Sequence, residues 1–136
     1  MNLKIPTRLI AAGLLACSLA TLAPAVSFED ESMAVVFEKY SIDHQGLQVI
    51  DLVATLHFTK GIADKDYPEV VGFYKLTDKL MKEYPNETDW WEIWNKRVAA
   101  SLLEAYPMAE RVEILVSMHP TFDIPYPNKY RCVARR

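Results

Sequence analysis

Two stretches of strict apolar/polar alternation, Leu47–Thr59 and Arg111–His119, restrict this chain more than any other feature. In the first, Ile50, Leu52, Ala54, Leu56 and Phe58 share one face, and Asp51, Val53, Thr55, His57 and Thr59 share the other. In the second, Val112, Ile114, Val116 and Met118 alternate with Glu113, Leu115, Ser117 and His119. A period of two sends successive side chains to opposite sides of a strand, so both segments predict half-buried strands. A sheet face of this kind needs a second layer to cover it.

The cover is predicted between them. Asp66-Tyr67-Pro68-Glu69 opens a helix. Pro68 suits the first helical position, because its missing N–H has no partner there anyway. Val70, Phe73, Tyr74, Leu80, Met81 and Tyr84 form the apolar spacing, with a slip after Tyr74, and Pro85-Asn86 stops the helix. Thr88-Asp89 starts a second helix with a stripe of Trp91, Trp94, Val98, Leu102 and Ala105, ended by Tyr106-Pro107. Before the first alternating segment, Met33–Ser41 is rich in β-branched and aromatic residues and predicts a strand. The turn signal Asp43-His44-Gln45-Gly46 joins the two as a hairpin. Beyond the three prolines of Pro120–Asn128, Lys129–Ala134 supplies a fourth strand. The order is ββααββ, an α+β layer with two helices on one face of a four-stranded antiparallel sheet. The other face is expected to carry Val53, Leu115 and Tyr130.

With 136 residues the chain fits one domain. Lys4 and Arg8, an apolar run from Leu9 to Leu22, and the small residues of Ala23-Pro24-Ala25 have the layout of a secretory signal. Residues 1–25 are therefore expected to be a signal peptide and 26–136 a periplasmic or secreted domain. Leu14-Leu15-Ala16-Cys17 also resembles a lipobox, which would anchor the protein to a membrane through a lipidated Cys17. An uncleaved N-terminal anchor is the remaining reading of this segment. Without Lys4 and Arg8, 13 basic residues face 18 acidic ones, a net charge of −5. That balance speaks against nucleic acid and anionic lipid as partners. Cys132 is then alone in the mature domain and has no intramolecular disulfide partner.

Three short motifs, in this order and spacing, resemble the dihydroneopterin aldolase family of the tunnelling (T-fold) superfamily. Asp66-Tyr67-Pro68-Glu69-Val70 is similar to the family's D/N-Y-x-x-V at the start of its first helix. Trp90-Trp91-Glu92-Ile93-Trp94-Asn95-Lys96-Arg97-Val98-Ala99 is similar to L-I-E-x-L-A-x-x-I-A. Ala105-Tyr106-Pro107-Met108-Ala109-Glu110-Arg111-Val112, followed by Val116-Ser117-Met118-His119-Pro120, is similar to F-P-x-V-x-x-V and V-x-K-P. The resemblance implies a homo-oligomeric barrel with sites between subunits. It also implies a pterin-like heterocycle as ligand and retro-aldol cleavage of a dihydropterin side chain, with no metal or organic cofactor. Glu92 falls on the carboxylate that anchors the ring, with Trp91 beside it, and Tyr67 falls on a tyrosine that takes part in proton transfer. His119 replaces the family's lysine before proline, and Ser41–Leu47 is shorter than the family's loop and has no glutamate.

Plainer readings of the same residues stay open. Asp89 and Glu92 have capping-box spacing. Tyr67 before Pro68 suits a hydrophobic staple. His119 is equally a strand-end residue, and His57 shares a face with Asp51, its expected partner. His44, His57, His119 and Cys132 lack close ligand spacing and lie on separate elements, so no metal site is predicted. Trp90, Trp91 and Trp94 cannot all share one helix face, so at least one should meet a groove, a ligand or another subunit. Two functions remain in view: a lyase of the dihydroneopterin aldolase type, or a non-catalytic extracytoplasmic protein that binds pterins or purines or serves as a structural module of the envelope.

Overall fold

The computed structural model describes residues 28–84 and 89–136. The expected signal peptide, Cys17, and the Pro85-Asn86 stop and Thr88 start signals lie outside the described residues. Strands β1 (Ser32–Asp43) and β2 (Leu47–Phe58) form a hairpin. A 3-10 turn at Asp64–Asp66 leads to helix α1 (Val70–Glu83), and helix α2 (Trp91–Ala105) follows. Strands β3 (Ala109–Met118) and β4 (Asn128–Arg135) complete the chain. The sheet order is β1-β2-β3-β4, with every neighbouring pair antiparallel.

The alternation sets the layers. Ile50, Leu52, Ala54, Leu56, Val112, Ile114 and Val116 are fully buried beneath the helices. Phe73 and Met81 from α1, and Trp94, Ala99 and Leu102 from α2, fill the space above them. α1 lies over β1, whereas α2 lies over β3 and β4. Burying each large aliphatic or aromatic side chain contributes roughly 1.5–3 kcal/mol, which makes this interface the main stabilising layer. Trp91 and Trp94 both enter the core, and Trp90 is left 67% exposed.

Three expectations change. Tyr130 pairs with Val116 and so belongs to the helix-covered face, where it stacks on Trp91. The open face carries Lys129, Arg131 and Val133 instead, because pairing fixed the even-numbered residues of β4 inward. Pro68 is not the first helical residue. Tyr67 is extended, as the clash between a proline ring and the preceding residue favours. Glu69 remains extended and accepts the first helical N–H, from Phe73, so α1 starts at Val70. His44, expected only as a turn residue, is buried with its ring 4.3 Å from that of Trp91. Gln45 and Gly46 make the turn, both with positive φ.

Two carboxylates on the sheet and helices link stability to pH. Asp78 accepts from Lys82 at 2.7 Å and from the Tyr40 hydroxyl at 2.9 Å, and its carboxyl is held below the usual range by Lys82 despite burial. Glu113 takes both N–H groups of Arg131, at 2.7 and 2.9 Å, and is likewise lowered. A carboxyl that is more acidic folded than unfolded stabilises fully above its unfolded value, and that contribution is lost as pH falls through the folded one. Urea midpoints are therefore expected to fall between pH 7 and pH 3, and Asp78→Asn should flatten the change. An identical profile in that variant would remove Asp78 from the account.

Candidate functional site

Glu92 is the second residue of α2. The residue that caps this helix is Trp90, extended at φ −68° and ψ 154°, and no side chain caps the exposed N–H groups. The Asp89/Glu92 capping box does not form, because Asp89 lies one position too early. Its carboxylate accepts from the Tyr84 hydroxyl and lies 4.0 Å from Arg97, which draws it back toward the end of α1. Glu92 is exposed and makes no hydrogen bond or ion pair to any described residue. A carboxylate at a helix N-terminus is favoured by the dipole, so it stays there without a side-chain partner.

Two cavities meet at this residue. One, of about 310 Å³, lies between the β1–β2 turn, the start of α2 and the approach to β4, with Gln45, Gln48, Trp91, Glu92, Asn128 and Tyr130 in its wall. The second, of about 170 Å³, is lined by Glu92, Asn95, Lys96, Tyr130, Arg131 and Cys132. Trp91 and Tyr130 present nearly parallel rings, 15° apart in plane and 6.5 Å between centroids. Gln48 Oε1 and Asn95 Oδ1 are buried beside the cleft with no hydrogen-bond partner among the described residues. An unsatisfied buried acceptor costs on the order of 1–3 kcal/mol, which is unusual enough to mark this end of the sheet. Neither residue has a sequence signal, since isolated amides occur throughout any chain. Burial pushes the Cys132 thiol up, which reduces its reactive thiolate.

His119 sits on the open face, directly after β3. Its backbone N–H donates to Val49 at 2.9 Å, and its Nε2 lies 3.0 Å from Asp51 Oδ2. The other oxygen of Asp51 accepts the Lys39 N–H at 2.8 Å. The Lys39 N–H, and then the imidazole, hold the Asp51 carboxyl below its usual range. The expected Asp51–His57 partnership is not formed. Six residues separate the two along β2, on the order of 20 Å at the rise of a strand. His57 Nδ1 lies instead 2.7 Å from Arg111 Nη2 and 3.9 Å from Asp30 Oδ1.

Tyr67 is at the opposite end of the sheet. Its ring packs edge-on against Phe58 at 5.3 Å. Its hydroxyl donates to Glu31, and that bond, more than burial, pushes the phenol above its ordinary value. Glu31 and Tyr67 line a cavity of about 500 Å³ with Lys60, Ile62 and Asp64. Ile50, the partner of Met118, and Phe58 are eight residues apart on β2, which separates Tyr67 from His119 by on the order of 25 Å within one chain. Glu92 and Trp91 come together in the cleft, while Tyr67 is distant from both. Among the described residues no group of three or more His, Cys, Asp or Glu is arranged to hold a metal ion.

The architecture is similar to a solved structure of dihydroneopterin aldolase from Burkholderia thailendensis, bound to guanine, with a TM-score of 0.56 over 79% of this chain and 92% of that one. Identity is 11%. The chain therefore has the tunnelling fold of dihydroneopterin aldolase, a four-stranded antiparallel sheet with two helices in the order ββααββ. No family model and no curated protein matches the sequence.

Proposed function

We propose that, on this fold, Glu92 anchors a pterin-like or purine-like heterocycle in the cleft at the start of α2. The observation that carries the reading is the Glu92 carboxylate itself, bound to no described residue and shared by two adjoining cavities. A carboxylate accepts two parallel N–H bonds from a 2-amino-4-oxo ring edge, a charge-assisted bidentate contact. Guanine, the ligand of the similar aldolase structure, carries the same amino-oxo edge. Trp91 and Tyr130 supply aromatic surface beside it.

The reaction proposed is retro-aldol cleavage of a dihydropterin side chain. A base removes the side-chain hydroxyl proton, the carbon–carbon bond breaks, and its electrons pass into the ring imine before a proton returns to carbon. His119 is assigned the base role and Tyr67 a proton donor's role. The separation of Tyr67 from His119 requires a second copy of the chain to supply the tyrosine. An apolar groove of about 280 Å³ supports such an assembly. It runs along the open edge of β1 and is lined by Val36, Val70, Val71 and Tyr74, all about half exposed. Export from the cytoplasm through residues 1–25, with periplasmic or secreted residence, is part of the same proposal.

Titration of the purified domain with neopterin, read by tryptophan fluorescence, tests the site. Product analysis with dihydroneopterin tests the chemistry. Binding without turnover above background leaves the non-catalytic binder, a reading favoured by the histidine in place of the family's lysine. Native mass spectrometry is expected to show an oligomer that Val36→Lys dissociates to monomers. A wild-type monomer removes the shared-site arrangement.

A further inference from the structure

We propose that Asn95 is a specificity-determining residue of the Glu92 cleft, whose side-chain oxygen accepts the second N–H of the ring's exocyclic amino group. Glu92 takes the first amino N–H together with the adjoining ring N–H. The inference rests on the ring-anchoring role proposed for Glu92 and deepens it, because it names the group by which the cleft selects 2-amino heterocycles.

Asn95 lies three residues after Glu92 on α2. Residues at that spacing are neighbours on a helix surface, about 5–6 Å apart at Cβ. Both line the cavity of about 170 Å³. Glu92 is exposed, whereas Asn95 is only 1% exposed, so the amide lies deeper in the wall than the carboxylate. Asn95 Oδ1 is buried and has no hydrogen-bond partner. Lys96 and Arg131 line the same cavity, and neither bonds this oxygen; Arg131 is held by Glu113 at 2.7 and 2.9 Å. The terminal torsion of an asparagine is broad, and no bond holds Oδ1 in the wall. Rotation of the amide therefore turns the oxygen toward the cavity that the residue already lines.

The atom without a partner is an acceptor, so the group that completes it is a donor. A planar NH2 group directs its two N–H bonds about 120° apart, and at N···O distances of about 2.9 Å the two oxygens that accept them stand about 5 Å apart. That separation matches the spacing of side chains one helical turn apart. The carboxylate and the amide can thus share one amino group between them. A ring with a single amino hydrogen leaves Oδ1 buried and unpaired. A site built to bond a group rejects an analogue that lacks it for this reason.

Neopterin and its N2-methyl derivative test the contact, with affinities read by tryptophan fluorescence. The derivative keeps the ring N–H and one amino N–H for Glu92 and carries a methyl group in place of the other hydrogen. Wild type is expected to bind it about tenfold more weakly than neopterin. Asn95→Ala should bind neopterin about tenfold more weakly than wild type does, and should accept the two compounds within about twofold of each other. The variant is expected to fold, because alanine has the highest helix propensity and the deleted oxygen satisfies no bond. Glu92→Gln should weaken both compounds alike and keep their ratio. Equal affinity of the wild type for the two compounds overturns the proposal and leaves Oδ1 to a bound water. A preference for neopterin that survives Asn95→Ala overturns it as well. Should the variant fail to fold, the wild-type ratio decides alone. A wild type that binds neither compound sinks the ring anchor and this contact with it, whereas one that binds both equally sinks the Asn95 contact only.

Discussion

Glu92→Gln is expected to weaken neopterin binding about a hundredfold and to leave the fold in place. The carboxylate offers two acceptors to a ring edge that presents two N–H groups. Glutamine offers one acceptor, and its NH2 group opposes the second donor. Hydrogen bonds to a charged group contribute roughly 1.5–3 kcal/mol, and about 1.4 kcal/mol is a factor of ten in affinity. The loss of one such bond and the clash at the other account for the expected hundredfold. The cost to the fold is small, because no described residue bonds Glu92. Only its interaction with the helix dipole is given up, about 0.3–1 kcal/mol at an exposed position. Fluorescence titration reads the affinity, and urea denaturation reads the stability. Equal affinity in the variant and the wild type disproves the anchor. A large loss of stability instead means that Glu92 serves the helix.

Trp94→Ala is expected to cost about 3–5 kcal/mol, the range for deleting a large aromatic from a core. Trp94 is fully buried on α2, 5.4 Å from Trp91 and 6.3 Å from His44 between ring centroids. Its removal leaves a void under the helix that carries Glu92. Against a total stability of about 5–15 kcal/mol, this leaves a marginal protein. Trp90→Ala, four positions earlier and exposed, should cost no more than about 0.5 kcal/mol. Urea midpoints by circular dichroism separate the two. Similar losses in both variants would contradict the orientation of α2 over the sheet.

The layers were legible because periodicity carries them. The alternation of Ile50, Leu52, Ala54, Leu56 and Phe58 places one face inward whatever the strand pairs with, and the structure buries all five. The helix stripe likewise identified Trp91, Trp94, Val98 and Leu102 as core residues, while its last member, Ala105, ends the helix exposed. Partnerships across elements were less legible. Sharing a strand face suggested Asp51 with His57, but sharing a face says nothing about separation along the strand. His119 reaches Asp51 only because β3 pairs with β2 in one register. The same cause moved Tyr130 to the covered face. Gln48 and Asn95 left no trace in the sequence, because an orphaned amide oxygen is a property of its surroundings.

By itself the sequence determined the order of elements, the side of each strand that turns inward, and the carboxylate that opens the second helix. These follow from local geometry, where side-chain direction repeats every two or 3.6 residues. Tertiary structure alone decided that Asp89 turns away from Glu92, that Lys39 and His119 converge on Asp51, and that Tyr67 lies at the far end of the sheet. Each depends on register or on distance between elements. Those quantities are set by how the whole core packs, and no single segment encodes them.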